Sequence, residues 1–157
     1  MAASGSKSRK RSATSSRPLP EGLVFFVDRS LGRRYVAEAL RGQGARVEIH
    51  DDHFPIDAKD PDWLVEVGRR GWVVLMKDKR VRRIRLELDA LIAAKVRAFV
   101  LTAGNLTGPE MADVFVLQLH RIAALAVSRP APFVAGVSRT KISIYRLRDG
   151  GIDTSGS

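Results

Sequence analysis

The chain has 157 residues, 45% of them apolar, no cysteine, and a formal net charge of +10 at pH 7. This length and apolar share suit one domain with a real core. Without cysteine there are no disulfides, thiolate metal sites or cysteine nucleophiles, which accords with a reducing, cytoplasmic setting. The positive balance points to polyanionic partners, either nucleic acid or an acidic protein.

Half of that net charge lies in residues 1–20, where Lys7, Arg9, Lys10, Arg11 and Arg17 occur without any acid. This Ser-, Ala- and Arg-rich stretch cannot bury enough apolar surface to fold alone, so it is expected to be a disordered basic arm. No apolar segment follows its charges as in a secretory leader. No run is expected to approach the roughly 20 apolar residues of a membrane span.

Gly22–Val27 is a continuous apolar run closed by Asp28, the pattern of a strand buried on both faces. Ser30 is expected to cap a helix from Leu31 to about Arg41, with Leu31, Tyr35, Val36, Ala39 and Leu40 inward. Gly42 and Gly44 end it, and Arg46–His50 alternates as a second strand. Residues 51–59 read as a polar loop. Asp60 then caps a helix with Pro61 at its first position and Trp63, Leu64 and Val67 on its inner face. Trp72–Met76 is a third buried strand, and it runs into a basic stretch, Lys77–Arg85. A helix through Leu86, Leu88, Leu91 and Ile92 leads to a fourth strand within Arg97–Thr102. Thr107 caps a long helix from about Pro109 to Ala126, with Met111, Val114, Phe115, Gln118 and Ile122 along one side. Phe133–Val137 and Ile142–Leu147 are expected to form a short edge hairpin. Residues 149–157 read as a flexible, frayed tail.

Strands thus alternate with helices four times. The order predicts a single-domain α/β fold over residues 21–148, a three-layer α/β/α sandwich with a mostly parallel sheet. In such sheets, sites lie beyond the carboxyl ends of the strands. Asp28 follows the first strand; His50, Asp51, Asp52 and His53 follow the second; Lys77 and Asp78 follow the third; Asn105 follows the fourth. Asp60 and Asp62 open the second helix. Converging carboxylates repel and call for a cation, and Mg²⁺ prefers such oxygen ligands. A metal held there can activate water against a phosphodiester. Arg29, Arg33, Arg34, Lys77, Lys79, Arg80, Arg82 and Arg83 stand near enough in sequence to grip the rest of the polyanion.

Each acid also has an ordinary role. Asp28 suits a turn or cap, Asp60 suits a cap, and Asp78 balances neighbouring cations. The residues His50–His53 meet no metal-ligand spacing and read as a solvated loop. Phosphate-loop, dinucleotide-fingerprint and nucleophile-elbow motifs are absent from the sequence.

Four segments together carry a resemblance: FFVDRSLGRR (25–34), DDHFPIDAKDPDWL (51–64), GRRGWVVLMKDKRVRR (68–83) and RAFVLTAGNLTG (97–108). The chain resembles a PIN-like domain, the nuclease fold of VapC-type toxins. The resemblance implies an endoribonuclease dependent on Mg²⁺ or Mn²⁺, inhibited by a cognate antitoxin, in a family whose members commonly form homodimers. By position it implies that Asp28 and Asp78 are the principal metal ligands, with Asp60 a further one, directly or through water. Two departures stand out. The family's T-x-D motif reads Met76-Lys77-Asp78 here, without its hydroxyl, and the loop after the fourth strand offers neutral Asn105 rather than an acid. Glu38 and Glu87 are candidate supporting acids. These departures motivate an alternative, a PIN-like module that has lost catalysis and only binds nucleic acid or protein.

Overall fold

The computed structural model describes residues 18–55, 60–77, 89–102, 104–148 and 151–153. The apolar run Val24–Val27 forms strand β1, buried along its whole length. It pairs in parallel with β2 (Arg46–Ile49) on one side and β3 (Val73–Lys77) on the other. Strands β4 (Arg97–Leu101) and β5 (Phe133–Val137) extend the sheet in parallel beyond β3. The antiparallel β6 (Ile142–Ile144) closes that side, giving the order β2-β1-β3-β4-β5-β6. The expected hairpin is therefore β5–β6, but β5 is interior to the sheet rather than at its edge. A separate antiparallel pair, β7 (Arg146–Arg148) and β8 (Gly151–Asp153), reaches into the segment read as frayed.

Successive side chains of a strand point to opposite faces, and here they feed two cores. Phe25, Val27, Val73, Leu75, Phe99 and Leu101 join one. Phe26, Val74, Met76, Ala98 and Val100 join the other. The first core is covered by α1 (Tyr35–Gly42) and by the long helix Gly108–Ser128. The second is covered by α3 (Asp60–Arg70), which presents Trp63, Leu64 and Val67, and by helical residues 89–93, which present Leu91. The four-residue α2 (His50–His53) lies between β2 and α3, and the long helix is α4. The sequence therefore folds as the three-layer sandwich its periodicity predicts.

Local chemistry shifts several boundaries. Ser30 does not cap the first helix. Its amide donates to the Asp28 carboxylate, and Asp28 caps a short 3-10 turn, Arg29–Leu31. Gly32 follows at φ 78°, and α1 begins only at Tyr35. The helical count from Leu31 is broken there. Tyr35, expected inside, is 48% exposed. Part of the expected loop 51–59 is instead α2.

Helix ends are closed by backbone bonds. After α3, Gly71 N–H donates to Gly68 O and Trp72 N–H to Val67 O, with Gly71 at φ 72°. This is the left-handed exit that glycine adopts without strain. The helical residues 89–93 end in the same way, with Lys95 N–H on Ile92 O and Val96 N–H on Leu91 O, but the left-handed residue is Lys95 at φ 59°.

Two polar side chains, buried Gln118 and half-buried Arg97, lock the layers. Gln118, 2% exposed on α4, donates from Nε2 to Ser138 O at 2.7 Å and Arg139 O at 3.1 Å, pinning the β5–β6 turn. Arg97, at the start of β4, donates to Ala126 O near the end of α4 and, at 2.8 Å, to Gly71 O just past the end of α3. Burial pushes its guanidinium below the usual arginine range. By length and composition α4 is apolar enough to cross a membrane, contrary to the sequence expectation. Nine of its residues, from Met111 to Ala126, are buried.

Candidate active site

Strand order reverses at β1: the chain moves to β2 on one side, then returns to β3 on the other. At such a reversal the connections diverge to opposite faces and leave a crevice beyond the carboxyl ends of the two strands. Asp28 stands at the end of β1 in that place, 9% exposed. Its backbone N–H donates to Leu75 O at 3.0 Å, which extends the β1–β3 ladder by one step.

Ser30 holds the Asp28 side chain. Its backbone N–H donates to Oδ2 at 3.0 Å, and its hydroxyl donates to the same oxygen at 2.5 Å. The hydroxyl also accepts from the backbone N–H of Lys77, the last residue of β3, at 3.0 Å. One serine thus braces the carboxylate and joins the ends of both strands. Sequence reading took Ser30 for a helix cap. An Asp-x-Ser turn was a visible signal for the local bond, but the partner 47 positions away was not.

This hydroxyl bears on the departure at Met76. Met76 is buried and packs in the second core. The neighbouring Lys77 amide is held from the turn that follows β1, by Ser30.

A second arrangement was also missed. Asp51, on α2, takes Arg29 Nε at 3.2 Å on one oxygen and Arg33 Nη1 at 3.3 Å on the other. Two of the arginines proposed to grip a polyanion are therefore steadied beside Asp28. Arg34 pairs with Glu38 at 3.6 Å, which gives Glu38 a surface role on α1. His50 is not part of a solvated loop. It is 2% exposed, with its ring 5.2 Å from Trp63 and 5.5 Å from Phe54 between centroids. An imidazole packs there as an aromatic plate, and its Nδ1 lies 3.6 Å from Asp51 Oδ1, too far for a hydrogen bond. His53, by contrast, meets Glu48 at 2.6 Å near the surface.

Of the remaining candidates, Asp60 is the first residue of α3. Asn105 is exposed and adopts φ 58°, a left-handed conformation that Asn tolerates better than most residues. Asp78, Lys79, Arg80, Arg82, Arg83 and Glu87 lie outside the described residues. Among the described residues, no group of three or more His, Asp or Glu side chains is placed to hold a metal ion. Asp28 contributes one hard oxygen donor in a sheltered position, the ligand type that Mg²⁺ and Mn²⁺ select.

Comparison with known proteins matches this architecture. The profile of the family described as "PIN like domain" matches residues 23–103, from the start of β1 to just past β4. The chain is 29% identical over 122 residues to a Mycobacterium tuberculosis protein named "Putative ribonuclease VapC45", covering 75% of this chain and 88% of that one. No solved structure matches it. The profile spans more than half of the chain, and the chain belongs to the PIN-like domain family.

Proposed function

We propose that this protein is a metal-dependent endoribonuclease and the toxin of a toxin–antitoxin pair, acting in the cytoplasm and restrained by a cognate antitoxin. Membership of the PIN-like family and likeness to a protein named as a ribonuclease support a hydrolase of RNA phosphodiester bonds. The observation that carries the reading is Asp28, sheltered at the strand-order reversal and braced by a serine that also grips the end of β3.

Asp28 and Asp78 are the principal holders of Mg²⁺ or Mn²⁺ in this reading. Asp60 is a further ligand, with Asn105, Glu38 and Glu87 as supporting candidates. One or two carboxylates suffice beside a substrate phosphate, because Mg²⁺ keeps several waters. A bound ion supplies a water nucleophile at neutral pH and offsets charge on the phosphate under attack. Ser30 keeps the Asp28 carboxylate from turning away. Arg29 and Arg33, oriented by Asp51, neutralise flanking phosphates, and Lys77, Lys79, Arg80, Arg82 and Arg83 extend the basic track. A homodimer is the expected assembly.

The test compares RNA cleavage by the wild type and by Asp28→Asn, with Mg²⁺, Mn²⁺ or EDTA. Cleavage is expected only with metal and only with Asp28 intact. Metal-independent cutting, or an undiminished Asp28→Asn rate, overturns the mechanism. Growth arrest on expression, relieved by a small neighbouring gene, tests the toxin role.

A further inference from the structure

Each helix that follows a parallel strand starts at the carboxyl edge of the sheet. The first turns of α1 and α4 therefore share the edge that carries Asp28. Tyr35 opens α1 and stays 48% exposed. Its ring is nevertheless bedded. At Gly108, the first residue of α4, a Cβ would fall 2.4 Å from ring Cδ2 and 3.1 Å from Cγ. Only a missing side chain lets the ring lie against that helix. The Arg34 guanidinium lies over the ring, its carbon 5.5 Å from the centroid, and has to share or yield that face to an incoming base. Arg29 and Arg33 precede it on the same rim, held by Asp51. The strands that lead to the two supports of the ring, β1 and β4, are two spacings apart, about 10 Å.

A firmly seated, half-exposed aromatic ring among cations is the chemistry of a single-strand platform. The ring accepts any base by its π-face while the cations follow the phosphates. We propose that Tyr35 is a nucleobase-stacking subsite, taking one base of a single-stranded RNA whose backbone passes Asp28. This rests on the ribonuclease reading and adds to it the substrate's strandedness and a base-binding residue. Tyr35 moves no proton and holds no metal.

The experiment uses the full chain carrying Asp28→Asn, so that RNA is bound without being cut. Short single-stranded oligonucleotides carry 2-aminopurine at successive positions. One position is expected to be quenched on binding. Tyr35→Ala should abolish that quenching and weaken binding about 10-fold, while Tyr35→Phe retains both. The salt dependence of binding should not change, because no phosphate contact is lost. An abasic nucleotide at the quenched position should cost the Tyr35 protein the same factor and cost Tyr35→Ala nothing more. Unchanged affinity and quenching in Tyr35→Ala overturn the subsite, as do abasic and Tyr35→Ala losses that multiply. If the chain with Tyr35 intact neither binds nor cuts RNA, the ribonuclease reading itself fails, and the subsite with it.

Discussion

Ser30 and Asp28 share a 2.5 Å hydrogen bond, and the same serine oxygen accepts the Lys77 amide at 3.0 Å. Removing that oxygen frees the carboxylate and leaves the Lys77 N–H without its bond. Ser30→Ala should lower RNA cleavage and metal affinity about 10–100-fold, the range for groups that orient a metal ligand. Ser30→Thr, which keeps the hydroxyl, should restore most of it. Steady-state kinetics with a Mn²⁺ titration distinguishes this from unfolding, which circular dichroism reads separately. Full activity in Ser30→Ala would remove the bracing role.

Gln118 reaches from α4 to the β5–β6 turn and serves two carbonyls from a buried position. Gln118→Leu fits the volume but leaves both carbonyls short of a partner. The expected loss of stability is about 1–3 kcal/mol, measured by urea unfolding. Gln118→Glu should be no better, because an ionised carboxylate cannot donate to either oxygen.

Lys95 and Gly71 occupy equivalent left-handed positions after two helices, at φ 59° and φ 72°. Lys95→Gly should relieve the clash of its Cβ and stabilise the protein by about 1 kcal/mol. Gly71→Ala should destabilise it by a similar amount. Thermal melts of the two variants, moving in opposite directions, check both.

Glu110 accepts the Thr107 backbone N–H at 2.8 Å, and the Thr107 hydroxyl accepts the Glu110 N–H at 3.2 Å, closing a capping box at the start of α4. The Thr107 backbone bond holds the Glu110 carboxyl below its ordinary value of 4.5. A depressed folded-state pKa means that the stabilisation is present above about pH 4.5 and is lost as pH falls through the lower folded value. The stability difference between wild type and Glu110→Gln should be flat above about pH 5 and shrink below about pH 4. A difference that grows on acidification would contradict the assignment.

The parts of the fold that the sequence made legible are those governed by local pattern. Continuous apolar runs such as Val24–Val27 and Val73–Met76 read as strands buried on both faces, and Thr107 ahead of a long periodic segment reads as a helix start. Asp28 was legible as a strand-end acid because topology puts such residues at one edge. The contacts that shape the site were not. Ser30 meets Lys77 through strand pairing between segments far apart in the chain, which no local spacing encodes. Tyr35 was misplaced because the 3-10 turn and Gly32 reset the helical phase between Leu31 and α1. His50 looked polar by type, yet three aromatic neighbours enclose it, Phe26 from β1, Phe54 just past α2 and Trp63 from α3.

Arg97 joins the two helical layers through one guanidinium, with Ala126 O on one arm and Gly71 O on the other. The two layers otherwise face away from each other across the sheet. Loosening the end of either helix removes a bond from the group that also holds the other. In hydrogen exchange the last turns of α3 and α4 should therefore open as one cooperative unit. Far from the carboxylate edge, this arginine sets how independently the two sides of the enzyme can breathe.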